Sequence, residues 1–216
     1  MALEATHIRF AIELKDKLQV EDTARYIAGT LYPDSRYKTA LPRKFTHPPD
    51  FKDWNLLNAD DFKKGWFVHL LCDQIQAGIF NKKFPQFFLT GKIELGNDGW
   101  IALTAVKVLQ DLEDIKKFDV KPYLPNLASI ENRNNEKREL LVKFYKNVID
   151  TYANPSKLTL ENYRMKLAQL GIGEDLAAKV QKKAEQLSND KGITKSVRAV
   201  YAEMMKKFGQ MTDLIN

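Results

Sequence analysis

The segment from Asp60 to about Phe80 constrains this chain most, because Trp66, Phe67, Val68, Leu70 and Leu71 leave a helix there little polar surface. Such a helix is predicted to be the central element of its fold. It is not a candidate membrane span, since no stretch approaches the roughly 18 to 20 consecutive apolar residues that crossing a bilayer needs. Yet it carries His69 and Asp73, four residues apart and therefore one above the other on a single face. Ionised carboxylates are seldom buried without a partner. The helix thus predicts a core and a chemical site inside that core.

Helical periodicity dominates the rest of the chain. Ile8, Ala11, Ile12 and Leu18 give an apolar face after a predicted cap at Thr6. Asp22 to Tyr32 reads as a second helix, halted by Tyr32-Pro33 because the residue before proline is pushed out of the α region. Residues 33 to 58, with Pro33, Pro42, Pro48 and Pro49, read as a long loop, and a loop of that length in a compact domain is usually functional. A second irregular stretch, Phe84 to Gly99, ends in the turn sequence Gly96-Asn97-Asp98-Gly99. Helices are then expected over Trp100 to about Lys117, about Asn132 to Tyr152, and 159–170, 174–188 and 193–208. The fold class is all-α, a single-domain multi-helix bundle. Residues 1–153 form the helical metal-binding part and 154–216 a C-terminal helical extension packed on it.

With 216 residues, 44% hydrophobic and 29% charged, the chain can bury a real core. The net charge of +6 is spread along helices without the interleaved aromatics of a nucleic-acid binder, so no specific nucleic-acid partner is expected. Met1-Ala2-Leu3-Glu4 does not resemble an export signal, and the lone Cys72 cannot form an internal disulfide. Both point to a cytoplasmic protein, with Cys72 a small core residue and not a ligand. The lysine- and alanine-rich last third holds no histidine and is a candidate surface for homo-oligomer formation.

All three histidines fall within the first 69 residues: His7 near the N-terminus, His47 in the long loop and His69 on the apolar helix. His69 and Asp73 could share one metal ion, or one could fix the other's tautomer in a structural hydrogen bond. Gly65, one turn earlier on the same face, leaves room for another segment or a ligand to approach. Asp34 and His47 in the loop before this helix strengthen the metal reading. Three imidazoles and two carboxylates suit one or two divalent ions, zinc first, with iron, manganese or nickel also compatible.

The run Phe62-Lys63-Lys64-Gly65-Trp66-Phe67-Val68-His69-Leu70-Leu71-Cys72-Asp73 resembles the central helix of the zinc-dependent phospholipase C family, in which an F-x-x-G-x-x-x-H-x-x-x-D helix supplies a histidine and an aspartate to the metal cluster. The similarity runs upstream in order: Thr6-His7-Ile8-Arg9-Phe10, then Tyr26-Ile27-Ala28-Gly29 leading to Pro33-Asp34, then Phe45-Thr46-His47. It covers about residues 5 to 76. By resemblance, His7, Asp34, His47, His69 and Asp73 are metal ligands, and Asp34 also orients or deprotonates the attacking water. Secreted members of that family bind three zinc ions, one through the N-terminal amine and another through two histidines and an acid downstream. This chain has no histidine after His69, so only the central site remains, with His7 joining it or holding a second ion across Asp73. Asp111 and Glu113 are expected to be solvated.

The resemblance implies a metal-dependent hydrolase acting on a phosphodiester or phosphomonoester, in which the ion polarises the phosphoryl oxygen and acidifies a water. Arg36, Lys38, Arg43 and Lys44 flank Asp34 and His47 and are the candidate phosphate-binding cations of this small-substrate site. The alternative is a non-catalytic metal-binding helical domain with a structural or partner-binding role. The adjacent His-Asp pair of HD-type phosphohydrolases is missing, and so are a phosphate-cradling glycine loop, a serine nucleophile motif and a dinucleotide fingerprint.

Overall fold

The structure is a computed structural model in which residues 2–89 and 93–210 are described. Among these the fold is all-α, with no strand. The helices are α1 (Glu4–Leu14), α2 (Thr23–Leu31), the one-turn α3 (Arg36–Thr39) and α4 (Arg43–Thr46), and α5 (Asp61–Lys83). They are followed by α6 (Asp98–Ile115), α7 (Arg138–Tyr152), α8 (Leu160–Gln169), α9 (Glu174–Ser188) and α10 (Lys191–Gly209). None of them is long and apolar enough to cross a membrane.

The apolar helix is central, as its sequence predicts. Asp60 caps α5 by accepting the Lys63 N–H at 2.8 Å, and α1, α2 and α10 pack around it. Its closest neighbour is α2. A Cβ added to Gly65 would stand 2.0 Å from the Tyr26 carbonyl oxygen, and one added to Gly29 would stand 2.0 Å from that of Phe62. The two helices therefore cross backbone to backbone, and the room left by Gly65 is taken by α2 and not by a ligand. After α2 the chain does not turn loose at Pro33. Tyr32–Ser35 continues as a 3₁₀ turn, with the Tyr32 ring edge-on to Phe62 and Trp66 at centroid distances of 5.3 and 4.9 Å.

Helix α1 starts at Glu4, and its cap is tertiary. Leu3 provides no side-chain bond, and the predicted cap Thr6 lies inside the first turn. The orphan N–H groups at this end find carboxylates from other helices: Ala2 N–H donates to Asp73 Oδ1 at 2.7 Å and Thr6 N–H to Asp111 Oδ1 at 3.0 Å. The Thr6 hydroxyl donates to Asp114 at 2.7 Å, and Arg9 pairs with the other oxygen of Asp114 at 2.8 Å. Asp111 is accordingly buried and not solvated, and it also accepts the hydroxyls of Tyr152 and Tyr163, each at 2.6 Å. Glu113 is half-buried beside Lys116 and Arg198. Burial pushes the carboxyls of Asp111 and Asp114 up, Asp114 to about 6.

The C-terminal helices are part of the same core. α8 packs on α7, α9 on α6 and α8, and α10 on α5 and α6, and one apolar cluster runs from Ala2 to Phe208. The fully buried Lys166 of α8 pairs with Glu4 of α1 and reaches the Tyr152 hydroxyl. Three sequence expectations shift. The 33–58 loop contains α3, α4 and two 3₁₀ turns. Helix α7 begins at Arg138 and not near Asn132, because Asn135 is left-handed (φ +57) and the Glu136 carboxylate takes the N–H groups of Arg133 and Asn134. In the irregular stretch from Phe84, residues 90–92 lie outside the described residues, and Asn97 caps α6 through the Trp100 N–H at 2.8 Å.

Two outcomes test this packing. Gly65→Ala should cost about 3 kcal/mol or more, the upper end for overpacking, because backbone cannot yield to the new methyl. Gly78→Ala on the same helix, whose Cβ would meet nothing within 4 Å, should be neutral or stabilising by up to ~1 kcal/mol, both read by urea denaturation. For Asp114, a raised folded pKa means the native state holds the proton more tightly. Its contribution is therefore complete below the unfolded value and is lost as pH rises toward about 6. The wild-type minus Asp114→Asn stability difference should fall by on the order of 3 kcal/mol between pH 4 and pH 7, and a pH-independent difference would refute this.

Candidate metal centre

The five predicted ligands converge from four segments. His7 comes from the first turn of α1, Asp34 from the 3₁₀ turn after α2, His47 from the end of α4, and His69 and Asp73 from the middle of α5. His7 and His69 are fully buried, and their rings stack at a centroid distance of 3.9 Å. His47 meets His69 edge-on at 5.3 Å. Asp73 lies at the hub. Its Oδ1 is 3.4 Å from His7 Nε2, and its Oδ2 is 3.6 Å from the Nε2 atoms of both His47 and His69. Asp34 Oδ1 is 4.0 Å from His69 Nε2.

These separations carry chemical information. Nitrogen–oxygen hydrogen bonds run about 2.7–3.2 Å, and all four contacts are longer. A tetrahedral ion with ligand bonds near 2.1 Å has donor–donor edges of about 3.4 Å, and wider ligand–metal–ligand angles give longer ones. His7, Asp34 and His69 form one set of donors within 4.8 Å of one another, and His47, His69 and Asp73 form a second. Buried His/Asp groups that could hold a metal ion are thus present, and Cys72 belongs to neither set. His69 is common to both sets. Asp73 turns one carboxylate oxygen toward His7 and the other toward His47 and His69.

The far side of each imidazole explains how the near side is aimed. His69 Nδ1 lies 2.9 Å from the Thr30 carbonyl, which can only accept, so Nδ1 carries the proton and Nε2 presents its lone pair inward. Thr46 Oγ1 lies 3.4 Å from the Arg43 carbonyl and 2.9 Å from His47 Nδ1, a contact in which His47 Nδ1 can donate and leave Nε2 facing Asp73. Trp66 Nε1–H holds the Thr46 carbonyl at 2.8 Å and so ties the His47 segment to α5. Among the described residues, Asp34 Oδ1, His47 Nε2 and His69 Nε2 are buried without a hydrogen-bond partner. Such groups are costly unless something binds them.

Electrostatics separate His7 from the other two imidazoles: against its burial, neighbouring Cys72 and Asp73 hold His7 well above its usual value, so a metal there must displace a proton. Burial, and then the neighbouring His7, hold the His69 imidazole well below its usual value, and burial also lowers His47. Both rings are therefore neutral near pH 7, the form that binds metal. Burial opposes the charge on Asp73, yet the surrounding imidazoles of His69, His47 and His7 help hold its carboxyl well below the usual carboxylate range. Burial raises the Cys72 thiol, which stays protonated.

The predicted phosphate-binding cations divide. Arg36 is half-buried with its guanidinium stacked 4.1 Å from the Tyr37 ring, and Arg43 lies close enough to lower His47. Lys38 instead donates to the Gln169 carbonyl at 2.7 Å, and Lys44 lies over the exposed Phe45 ring. Sequence reasoning missed Lys107 of α6, a half-buried lysine whose amine feels both Asp73 and Asp34 and is lowered by burial. The signal was there: a lone cation in the apolar run Ala105-Val106-Lys107-Val108-Leu109. Thr30 was not findable, since it acts through its backbone.

No family model, no curated protein and no solved structure matches this chain.

Thermal melts of wild type and Asp73→Asn, each with chelator and with zinc, test the cluster. At free zinc near 100 times the dissociation constant, wild type should gain about 2.7 kcal/mol, or several degrees in Tm. Asp73→Asn keeps an acceptor for the Ala2 N–H but loses the charge that offsets a cation, so it should keep less than a third of the gain. Equal gains in the two proteins would remove Asp73 from the centre.

Proposed function

We propose that this protein is a metal-dependent hydrolase of phosphate esters, holding one or two divalent ions, zinc first, at His7, Asp34, His47, His69 and Asp73. The observation that carries the reading is that Asp34 Oδ1, His47 Nε2 and His69 Nε2 are buried without a hydrogen-bond partner, beside Asp73, at spacings longer than hydrogen bonds and close to the edges of a coordination shell. The order of these five residues, similar to that in the zinc-dependent phospholipase C family, supports the same chemistry. An ion bound there supplies Lewis-acid polarisation of the phosphoryl oxygen and acidifies a water.

The chain's own residues have separable roles in this proposal. Asp34 lies at the wall of an open cleft, while the other four ligands do not line it. Asp34 therefore orients the attacking water and accepts its proton as the new P–O bond forms and the bond to the leaving oxygen breaks. Arg36 and Arg43 sit on the same side of the sequence as Asp34 and His47 and hold the phosphate by charge. The Thr30 carbonyl keeps His69 in the tautomer that faces the site, and the Thr46 hydroxyl holds the outer nitrogen of His47.

One observation favours a second reading, a non-catalytic metal domain: His7 and His69 are fully buried, as in a closed structural site. The readings differ in outcome. A hydrolase loaded with zinc or manganese should cleave a nitrophenyl phosphomonoester or phosphodiester at least 100-fold faster than its His69→Ala variant, with inorganic phosphate as a competitive inhibitor. Wild type that binds about one or two equivalents of metal, yet shows no turnover above His69→Ala, would establish the non-catalytic alternative instead.

A further inference from the structure

Helix α5 turns one flank to solvent where α10 packs beside it. The two helices bound an open trough of about 490 Å³, lined by α5 from Gln74 to Lys82 and by α10 and its cap from Glu203 to Gln210. Ile75, Gly78, Ile79 and Lys82 share one face of α5 by their i, i+3, i+4, i+7 spacing, and the two isoleucines form the trough floor.

Nothing inside the chain requires glycine at position 78. It stands exposed within the 23-residue helix α5, where glycine is less favourable than alanine, and its backbone angles are ordinary. A Cβ there would meet nothing within 4 Å. Gly29 and Gly65 are the opposite case, since the partner helix leaves neither of them room for a Cβ. At Gly78 the same bare backbone faces the trough, and it lets a third helix approach α5 as closely as α2 does at Gly65.

The rim of the trough is basic. Glu203 is neutralised by Lys83 at 2.6 Å, whereas Lys82, Lys206 and Lys207 have no acidic partner among the described residues. Lysine in a last helical turn is favourable by itself, so this charge counts only through its position around an apolar floor and a bare backbone. A second copy of the chain is a poor occupant, because each carries a net charge of +6.

We propose that the trough between α5 and α10 docks an acidic amphipathic helix of another protein. Its apolar side chains lie along Ile75, Ile79 and the lysine stems, its backbone comes against Gly78, and its carboxylates meet Lys82, Lys206 and Lys207. The α5 wall is about 12 Å long, which accommodates two to three helical turns. A contact that short is at the small end of specific interfaces, so the affinity is micromolar. The proposal does not depend on the hydrolase reading and adds a partner to whatever the metal cluster does.

The test uses the full chain and a fluorescein-labelled peptide of about 18 residues, with leucine at i, i+3, i+4 and i+7 and glutamate elsewhere, beside a counterpart with lysine for every glutamate. By fluorescence anisotropy at low salt, wild type should bind the glutamate peptide with a dissociation constant of about 1–100 µM, at least tenfold tighter than the lysine peptide. Amide shifts of nitrogen-15-labelled wild type should localise that binding to Ile75, Gly78, Ile79 and Lys206. Gly78→Leu, which extends into open space, should weaken it tenfold or more, and Lys206→Glu with Lys207→Glu should reverse the preference between the peptides. Circular dichroism melts establish that the variants are folded, and the two wild-type measurements stand without them. No saturable binding, equal affinity for the two peptides, shifts that fall elsewhere, or undiminished binding by folded Gly78→Leu overturns the proposal. A dimer that Gly78→Leu dissolves, or sedimentation with phosphatidylserine vesicles in place of peptide binding, overturns it in favour of a second copy or a lipid surface.

Discussion

The backbone contact between α2 and α5 at Gly29 and Gly65 is the constraint on which the rest of the centre depends. Only glycine on both helices allows an approach in which any Cβ would overlap a carbonyl of the partner. At that separation the Thr30 carbonyl reaches His69 Nδ1, and the 3₁₀ turn after α2 delivers Asp34 to the other side of the same ring. One close crossing thus fixes a ligand, its tautomer and a second ligand together. A looser α2 would leave His69 buried with neither nitrogen satisfied, a poor state for any core.

The second constraint is electrostatic and ties α1 to the same place. A helix whose first turn has no local cap needs its N–H groups satisfied, and here carboxylates of α5 and α6 do so. Asp73 therefore has two structural jobs, as acceptor for the Ala2 N–H and as the hub of three imidazoles. Asp111 and Asp114 hold the next turn, so His7 is presented to His69 at stacking distance. The Glu4–Lys166 pair then carries α8 onto this end of α1. Breaking any one of these buried links would leave an uncompensated charge, which costs far more than an exposed pair returns.

These constraints explain why the C-terminal helices matter to a candidate site whose five residues all precede residue 74. They close the apolar core over α5 and α6, and at α8 they form one wall of the cleft that opens at Asp34. The metal donors, the lone cation Lys107 and the apolar wall thus come from different thirds of the chain and meet only through packing.

The sequence by itself determined the helical class, the central position of α5 and the residue types of the candidate metal cluster. Each rests on local physics: 3.6-residue periodicity, the apolar composition around His69, and the i, i+4 spacing that stacks His69 under Asp73. It also marked Asp34 and His47, because acids and imidazoles in an over-long loop before such a helix have few bland uses. Tertiary structure alone decided the remainder. That Thr6 is no cap, that Asp111 is buried among tyrosine hydroxyls, and that Gly65 admits α2 depend on partners more than 30 residues away in sequence. The tautomer of His69 rests on a backbone carbonyl whose position no side-chain pattern encodes. Local pattern marks the candidate donors; only long-range packing sets where their lone pairs point.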